Sequence, residues 1–216
     1  MVLDLNHGKR VYDWLGQHHV LYRFIRFGVC FGREPVFQRI AIDALEAKVG
    51  DVILDLACGT GANHSHLEAR IGTSGRIMAV DFSSGMLDAA RAQAEANHWT
   101  NIEFRRTDAA QLELPPASLD GAICTFALSA MPRERAAIER VASALKPGVK
   151  FVVLDCKAFT GAASIFTPIA GPIFKYGTNW DYHKDVIRSI REVFVDVRVE
   201  EFNCGCNYIA SARNAV

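Results

Sequence analysis

Residues 52–63 read VILDLACGTGAN. An apolar run containing Asp55 leads into a turn, Cys58-Gly59-Thr60-Gly61, and then into a helical pattern. In an open parallel sheet, ligands sit beyond the carboxyl ends of the strands, so this corner is a candidate binding site. Gly59 and Gly61 allow a tight bend and a close backbone approach to a ligand. The helix that follows would point its free N–H groups at the same place.

Working outward, further strand-like runs alternate with helical patterns. RIMAV (76–80), IEFRR (102–106), DGAICTF (120–126) and KFVVLD (150–155) are separated by helix candidates at 62–71, 84–97 and 133–145. This alternation predicts a parallel sheet with helices on both faces. Ser83 or Ser84 is the expected N-cap of the second helix, and Pro147-Gly148 ends the third. After a Gly/Pro-rich stretch (161–177), a short helix is expected near 182–192 with Asp181 as cap, followed by strands at 193–202 and 206–212. Only residues 203–205 separate those two strands, so they form a hairpin and one strand of the sheet is reversed.

The fold expected is therefore α/β: a Rossmann-like, doubly wound, seven-stranded sheet, mostly parallel with one antiparallel strand near the C-terminus. A single domain of 1–216 is expected, divided into an N-terminal helical lid (1–40) and a core (41–216).

The 216 residues with 50% hydrophobic content suffice for one large core. Lys plus Arg and Asp plus Glu both number 24, which argues against nucleic acid as a partner. Locally, residues 1–40 hold six basic groups (Lys9, Arg10, Arg23, Arg26, Arg33, Arg39) against Asp4, Asp13 and Glu34. The six cysteines lack zinc-type spacing, so reduced thiols and no metal are expected. No secretory leader pattern opens the chain, and the longest uncharged run, 158–174, is short for a membrane span and broken by Gly and Pro. A cytoplasmic protein is expected.

Asp81 closes the second strand 20 residues after Gly61, within reach of both hydroxyls of a ribose, and Asp108 follows the third strand. A nicotinamide dinucleotide would need Gly or Ala at position 64, where His64 stands. Asp55 inside the turn suits a cationic amino-acid moiety better than a pyrophosphate. A nucleoside with a positive end fits better than a dinucleotide.

This set resembles class I S-adenosylmethionine-dependent methyltransferases over roughly residues 50–212. Asp55-Leu56-Ala57-Cys58-Gly59-Thr60-Gly61 is similar to their D/E-x-G-x-G-x-G signature, with Ala57 in place of the first glycine. Val80 to Leu87 resembles the second-strand motif, in which Asp81 holds the ribose while Phe82 and Met86 lie near the adenine. Thr107-Asp108-Ala109 resembles the segment that binds the adenine amino group, and Leu145-Lys146-Pro147-Gly148 the turn before the fifth strand. The resemblance implies S-adenosyl-L-methionine as cofactor and S-adenosyl-L-homocysteine as product. It also places Thr125, at the end of the fourth strand, in the cofactor site.

Val11-Tyr12-Asp13-Trp14-Leu15 and Phe31-Gly32-Arg33 are similar to the lid of bacterial phosphatidylethanolamine N-methyltransferases and ubiquinone/menaquinone C-methyltransferases. That resemblance implies that Tyr12 reaches the methionine end of the cofactor. It also implies a small or lipid-like acceptor, with a phospholipid amine head group or a quinone-type ring preferred. LYRFIRFG (21–28) mixes arginines with aromatic and aliphatic residues, as in a helix resting on an anionic membrane. Residues 9–33 are accordingly expected to make peripheral contact with the inner membrane face; a helix packed on the sheet with its arginines in water is the alternative.

No general base is singled out by spacing. Tyr12, His18 and His183 are the candidates, with His19, Tyr22, Tyr176, Tyr182 and Tyr208 also available. A soluble small-molecule or secondary-metabolite acceptor, a nicotinamide-dependent oxidoreductase and a non-catalytic binding module remain as alternatives. Oligomeric state is not indicated.

Overall fold

The structure, a computed structural model, describes residues 5–168 and 180–215. Seven strands form one sheet in the order β3-β2-β1-β4-β5-β7-β6: β1 (Val52–Leu56), β2 (Arg76–Asp81), β3 (Ile102–Arg106), β4 (Gly121–Thr125), β5 (Lys150–Cys156), β6 (Val195–Phe202) and β7 (Asn207–Arg213). β1 to β5 pair in parallel, and β7 runs antiparallel to both of its neighbours, β5 and β6. The hairpin into β7 contains Cys206 as well as residues 203–205, with Asn203, Cys204 and Gly205 all at positive φ.

The central strands read as continuous apolar runs because both of their faces are covered. On one face, Leu54, Leu56, Val80, Cys124 and Val153 pack under α6 (Glu134–Ala144) and α7 (Val186–Arg191). On the other, Ile53, Ile77, Ala79, Ile123 and Leu154 pack under α3 (Glu34–Leu45), α4 (His64–Ile71) and α5 (Ser84–Ala96). Each fully buried Leu or Ile contributes roughly 1.5–3 kcal/mol. Removing the Leu54 side chain, at the centre of this stack, would cost about 2–5 kcal/mol.

Two helices precede this core: α1 (Leu5–Gln17) and α2 (His19–Val29). The expected lid boundary at residue 40 falls inside α3, whose Phe37, Ala41, Ile42 and Leu45 are buried core residues. α3 therefore packs with the core, and the covering elements end with α2. The helix expected at 182–192 is only Val186–Arg191, and its cap is Asp185, which accepts from Arg188 N–H at 3.0 Å. Asp181 instead accepts from His183 N–H at 3.2 Å in the preceding turn. Tyr176 and residues 169–174 of the 158–174 run lie outside the described residues.

Among the described residues, no helix is long and apolar enough to cross a membrane.

Candidate active site

The order of strands reverses between β1 and β4, and a crevice opens above their carboxyl ends. It has a volume of about 820 Å³ and brings together Tyr12, Ala57, Gly59, Asp81, Phe82, Met86, Asp108, Ala109 and Thr125. A second cavity of about 800 Å³ adjoins it, and the two share Tyr12, Tyr22, Phe126 and Ala130.

Asp81 ends β2 with its carboxylate held on both oxygens: Oδ2 accepts from Gly59 N–H and Oδ1 from Ser83 N–H, both at 2.9 Å. These bonds tie the glycine turn to the start of α5. Burial pushes the Asp81 carboxyl up to about 6, against the pull of those N–H donors and with the nearby Asp55 adding to the rise. Ser83 caps α5, its hydroxyl accepting from Met86 N–H at 3.2 Å, while the Met86 side chain is buried at the crevice wall. Gly59 has φ +55, and a Cβ there would meet no atom within 4 Å, so it would project into open space beside Asp81.

Asp55 and Gly61 do not line the crevice. Asp55 is fully buried beneath the loop, where Oδ1 accepts from Asn63 Nδ2 at 2.9 Å and Oδ2 lies 3.4 Å from His64 Nε2. Asn63 also reaches Thr125 Oγ1 at 3.1 Å, which links the turn to the end of β4. His64, which stands where a dinucleotide turn would need Gly or Ala, is completely buried between Asp55 and the Phe104 ring. A Cβ at Gly61 would come within 2.6 Å of His64 Nδ1, so this glycine makes room for the histidine. Ala57 holds φ +54, a left-handed conformation more natural to the glycine that the signature has there.

Asp108 lines the crevice with both oxygens engaged, one accepting from Ala110 N–H at 2.9 Å and the other facing Arg133 at 2.5 Å.

α1 lies over the crevice through contacts the sequence did not reveal. Asp13 Oδ1 accepts from Ser83 Oγ at 2.7 Å and from Gly85 N–H at 3.4 Å, and these bonds hold its carboxyl below the ordinary range despite partial burial. Gly16 and Gly85 bring the two backbones together, since a Cβ at Gly16 would sit 2.3 Å from the Gly85 carbonyl carbon. Tyr12, next to Asp13, packs edge-on against Phe82 and Tyr22. Burial raises the Tyr12 hydroxyl well above its usual value, so it keeps its proton and is unsuited to act as a base.

The two histidine candidates are elsewhere. His18 is exposed, stacked on Trp14 with its Nδ1 at 2.9 Å from Trp14 O. His183 lines a separate cleft with Tyr182 and Asp185. Sequence reasoning gave Arg26 and Asp155 no place in the site and named Tyr22 only among the available phenols, yet all three line these cavities. Asp155 had a signal available, because it is an acid near the end of β5, as Asp81 is for β2.

Residues 53–148 match the family described as "Methyltransferase domain". That match runs from β1 to the turn before β5. Over 135 residues the chain is 30% identical to a "2-phytyl-1,4-naphtoquinone methyltransferase" of Thermosynechococcus vestitus, covering 62% of this chain and 59% of that protein. A "demethylmenaquinone methyltransferase" of Desulfitobacterium hafniense is 31% identical over 126 residues, 58% of this chain and 50% of that one. The chain thus spans about half to three-fifths of the length of these relatives. Among solved structures, the fold is shared with the [4+2]-cyclase SpnF (TM-score 0.70, 16% identity, 83% of this chain and 80% of that one). It is also shared with a Haemonchus contortus phosphoethanolamine N-methyltransferase 2 (TM-score 0.65, 15% identity, 78% and 50%).

Proposed function

We propose that this protein transfers a methyl group from S-adenosylmethionine to a quinone-type ring. The observation that carries this reading is the pair of adjoining cavities, one edged by the strand-end acid Asp81 and the other walled by apolar and aromatic side chains. The first fits the nucleoside. Asp81 would accept from the ribose hydroxyls, Gly59 leaves room for close approach, and Phe82, Met86 and Ala109 would flank the adenine, with Asp108 near its amino group. Tyr12 and Thr125 would close the methionine end, while Asp55, Ala57 and Gly61 shape the turn from below. The bound cofactor supplies an electrophilic methyl group, and S-adenosylhomocysteine is what remains.

The chain's own contribution is orientation. Tyr12, Tyr22, Phe126 and Ala130 form the border between the cavities, where donor and acceptor must meet. Holding the two in line is worth roughly 7–11 kcal/mol of barrier. The relatives named for naphthoquinone and menaquinone support a ring as acceptor.

Such acceptors are lipophilic, and α2 suits a membrane surface. Val20, Leu21, Phe24 and Phe27 on this helix, and Phe31 just after it, are exposed, with Arg23 among them and Lys9 and Arg10 on α1. Apolar insertion flanked by basic groups favours an anionic bilayer.

The test is calorimetric binding of S-adenosylhomocysteine, followed by label transfer to demethylated naphthoquinols presented in anionic vesicles. Absence of homocysteine-cofactor binding would remove the cofactor reading; label appearing in water-soluble products alone would remove the quinone reading. Phe24→Asp with Phe27→Asp should release the protein from the vesicles, and unchanged co-sedimentation would refute the membrane contact.

A further inference from the structure

The second cavity is walled by Ile25, Val29, Phe31, Phe159 and Trp180 together with the shared border, yet charged and polar groups converge inside it. Asp155, near the end of β5, is 1% exposed. Its Oδ1 accepts from Ser129 Oγ at 2.7 Å and from Cys156 N–H at 2.8 Å, and its Oδ2 accepts from Ser129 N–H at 2.8 Å. Among the described residues its hydrogen-bond donors are neutral, and a buried carboxylate so held is costly in its charged form. Burial pushes Asp155 above the ordinary carboxylate range, and the bonds from Ser129 and Cys156 hold it back. The cation nearest in effect, Lys184, is turned to Met131 O and to Glu134.

Ser129 is itself buried and lines the cavity. Because its hydroxyl hydrogen goes to Asp155, its oxygen is left to accept. Across the cavity lining, Arg26 is 8% exposed, paired with Glu34, and 5.6 Å from the centres of both the Tyr22 and Phe126 rings. Its Nε–H has no hydrogen-bond partner among the described residues. The guanidinium is thus paired with Glu34 while one buried N–H is left over, and such an unpaired donor is the kind of exception that a ligand resolves.

We propose that this cavity recognises a hydroxylated aromatic ring by its oxygen, with Ser129 and Asp155 receiving the hydroxyl proton and Arg26 facing the oxyanion. This rests on the reading of the adjoining crevice as the methyl-donor site. The ring O–H bond breaks, Ser129 takes that proton and passes its own to Asp155, and the electron pair stays on the ring oxygen. From there it raises electron density on the ortho and para carbons, which makes them nucleophilic. The other ionisable groups around Asp155 cannot take the proton, because burial holds Tyr12, Cys156 and Tyr208 well above their usual values in the protonated form.

The test uses 2-naphthol, whose absorbance and fluorescence distinguish naphthol from naphtholate, titrated into the full chain with and without S-adenosylhomocysteine. Naphthol should bind about ten-fold tighter than naphthalene or 2-naphthylamine, the scale of one hydrogen bond to a charged group. A naphtholate band should accompany binding. Ser129→Ala should lose the band and weaken naphthol binding about ten-fold while keeping its affinity for S-adenosylhomocysteine, and Asp155→Asn should behave alike. Naphthol binding no better than naphthalene would overturn the inference, as would a Ser129→Ala variant with wild-type affinity and spectrum. Failure of S-adenosylhomocysteine to bind would instead strike the cofactor reading, leaving the naphthol result to stand by itself.

Discussion

The two adjoining cavities are constructed in opposite ways. On its β1–β3 side the crevice is made of short segments, 57–59, 80–86 and 107–110, in which backbone N–H groups hold the Asp81 carboxylate, while α1, α2 and residues 125–133 supply the other side. The second cavity takes its converging polar side chains from separate elements, with Arg26 on α2, Ser129 after β4 and Asp155 on β5. A ligand common to many proteins can be met by a local motif, because backbone geometry at strand ends recurs. A particular acceptor needs side chains that only the assembled fold brings together.

The sharpest way to break this contrast is at Asp81. Asp81→Ala should lower affinity for S-adenosylhomocysteine about 100-fold or more, since two hydrogen bonds to a charged group are worth roughly 1.5–3 kcal/mol each. Calorimetry decides it; retained affinity would mean that the crevice is not the nucleoside site.

The lid is the next test, because it joins the two cavities through Tyr12. Gly16→Val places a side chain against the Gly85 backbone and should lift α1. Overpacking of this kind costs about 1–3 kcal/mol, so cofactor affinity should fall roughly ten-fold and proteolysis should begin in α1. Circular dichroism should show the core intact. An unaffected affinity would make α1 a bystander.

A pH series sharpens the role of the carboxylate. In the free protein the raised value of about 6 means that Asp81 favours folding most below its ordinary 3.8, and this contribution is lost as pH rises through about 6. Ribose hydroxyls need the ionised form, so binding runs the other way. Affinity should drop about ten-fold from pH 7.5 to 5, and Asp81→Asn should flatten the profile.

The smallest effect is expected at Ala57, which is strained in a glycine position. Ala57→Gly should stabilise the fold by about 0.5–1 kcal/mol, the left-handed penalty of ~1–2 kcal/mol less the ~0.5–1 kcal/mol entropy cost of glycine. Thermal melting would show a rise of a few degrees, with cofactor affinity little changed.

The strands were legible because two-faced burial forces apolar runs, and the reversed β7 because a short connection between β6 and β7 admits only a hairpin. Ser83, Asp81 and Gly59 were legible because capping, strand-end acids and tight turns are local. The place of His64 was not. As a bulky residue beside a glycine turn it reads as an obstruction, and only its packing against Asp55 and Phe104 shows that Gly61 exists to admit it. Asp13 likewise looked like half of a lid motif, whereas it bonds to a helix start about 70 residues away in the chain.

By itself, then, the sequence determined the sheet, the turn after β1 and the acids that close β2 and β3, since each depends on residues within a few positions of one another. Only the tertiary structure decided that Asp55 lies sealed under the loop, that α3 belongs to the core, and that Arg26, Ser129 and Asp155 line one cavity. Such meetings depend on how helices and strand ends pack across the whole chain, and side-chain chemistry spread over some 130 positions leaves no local pattern to read.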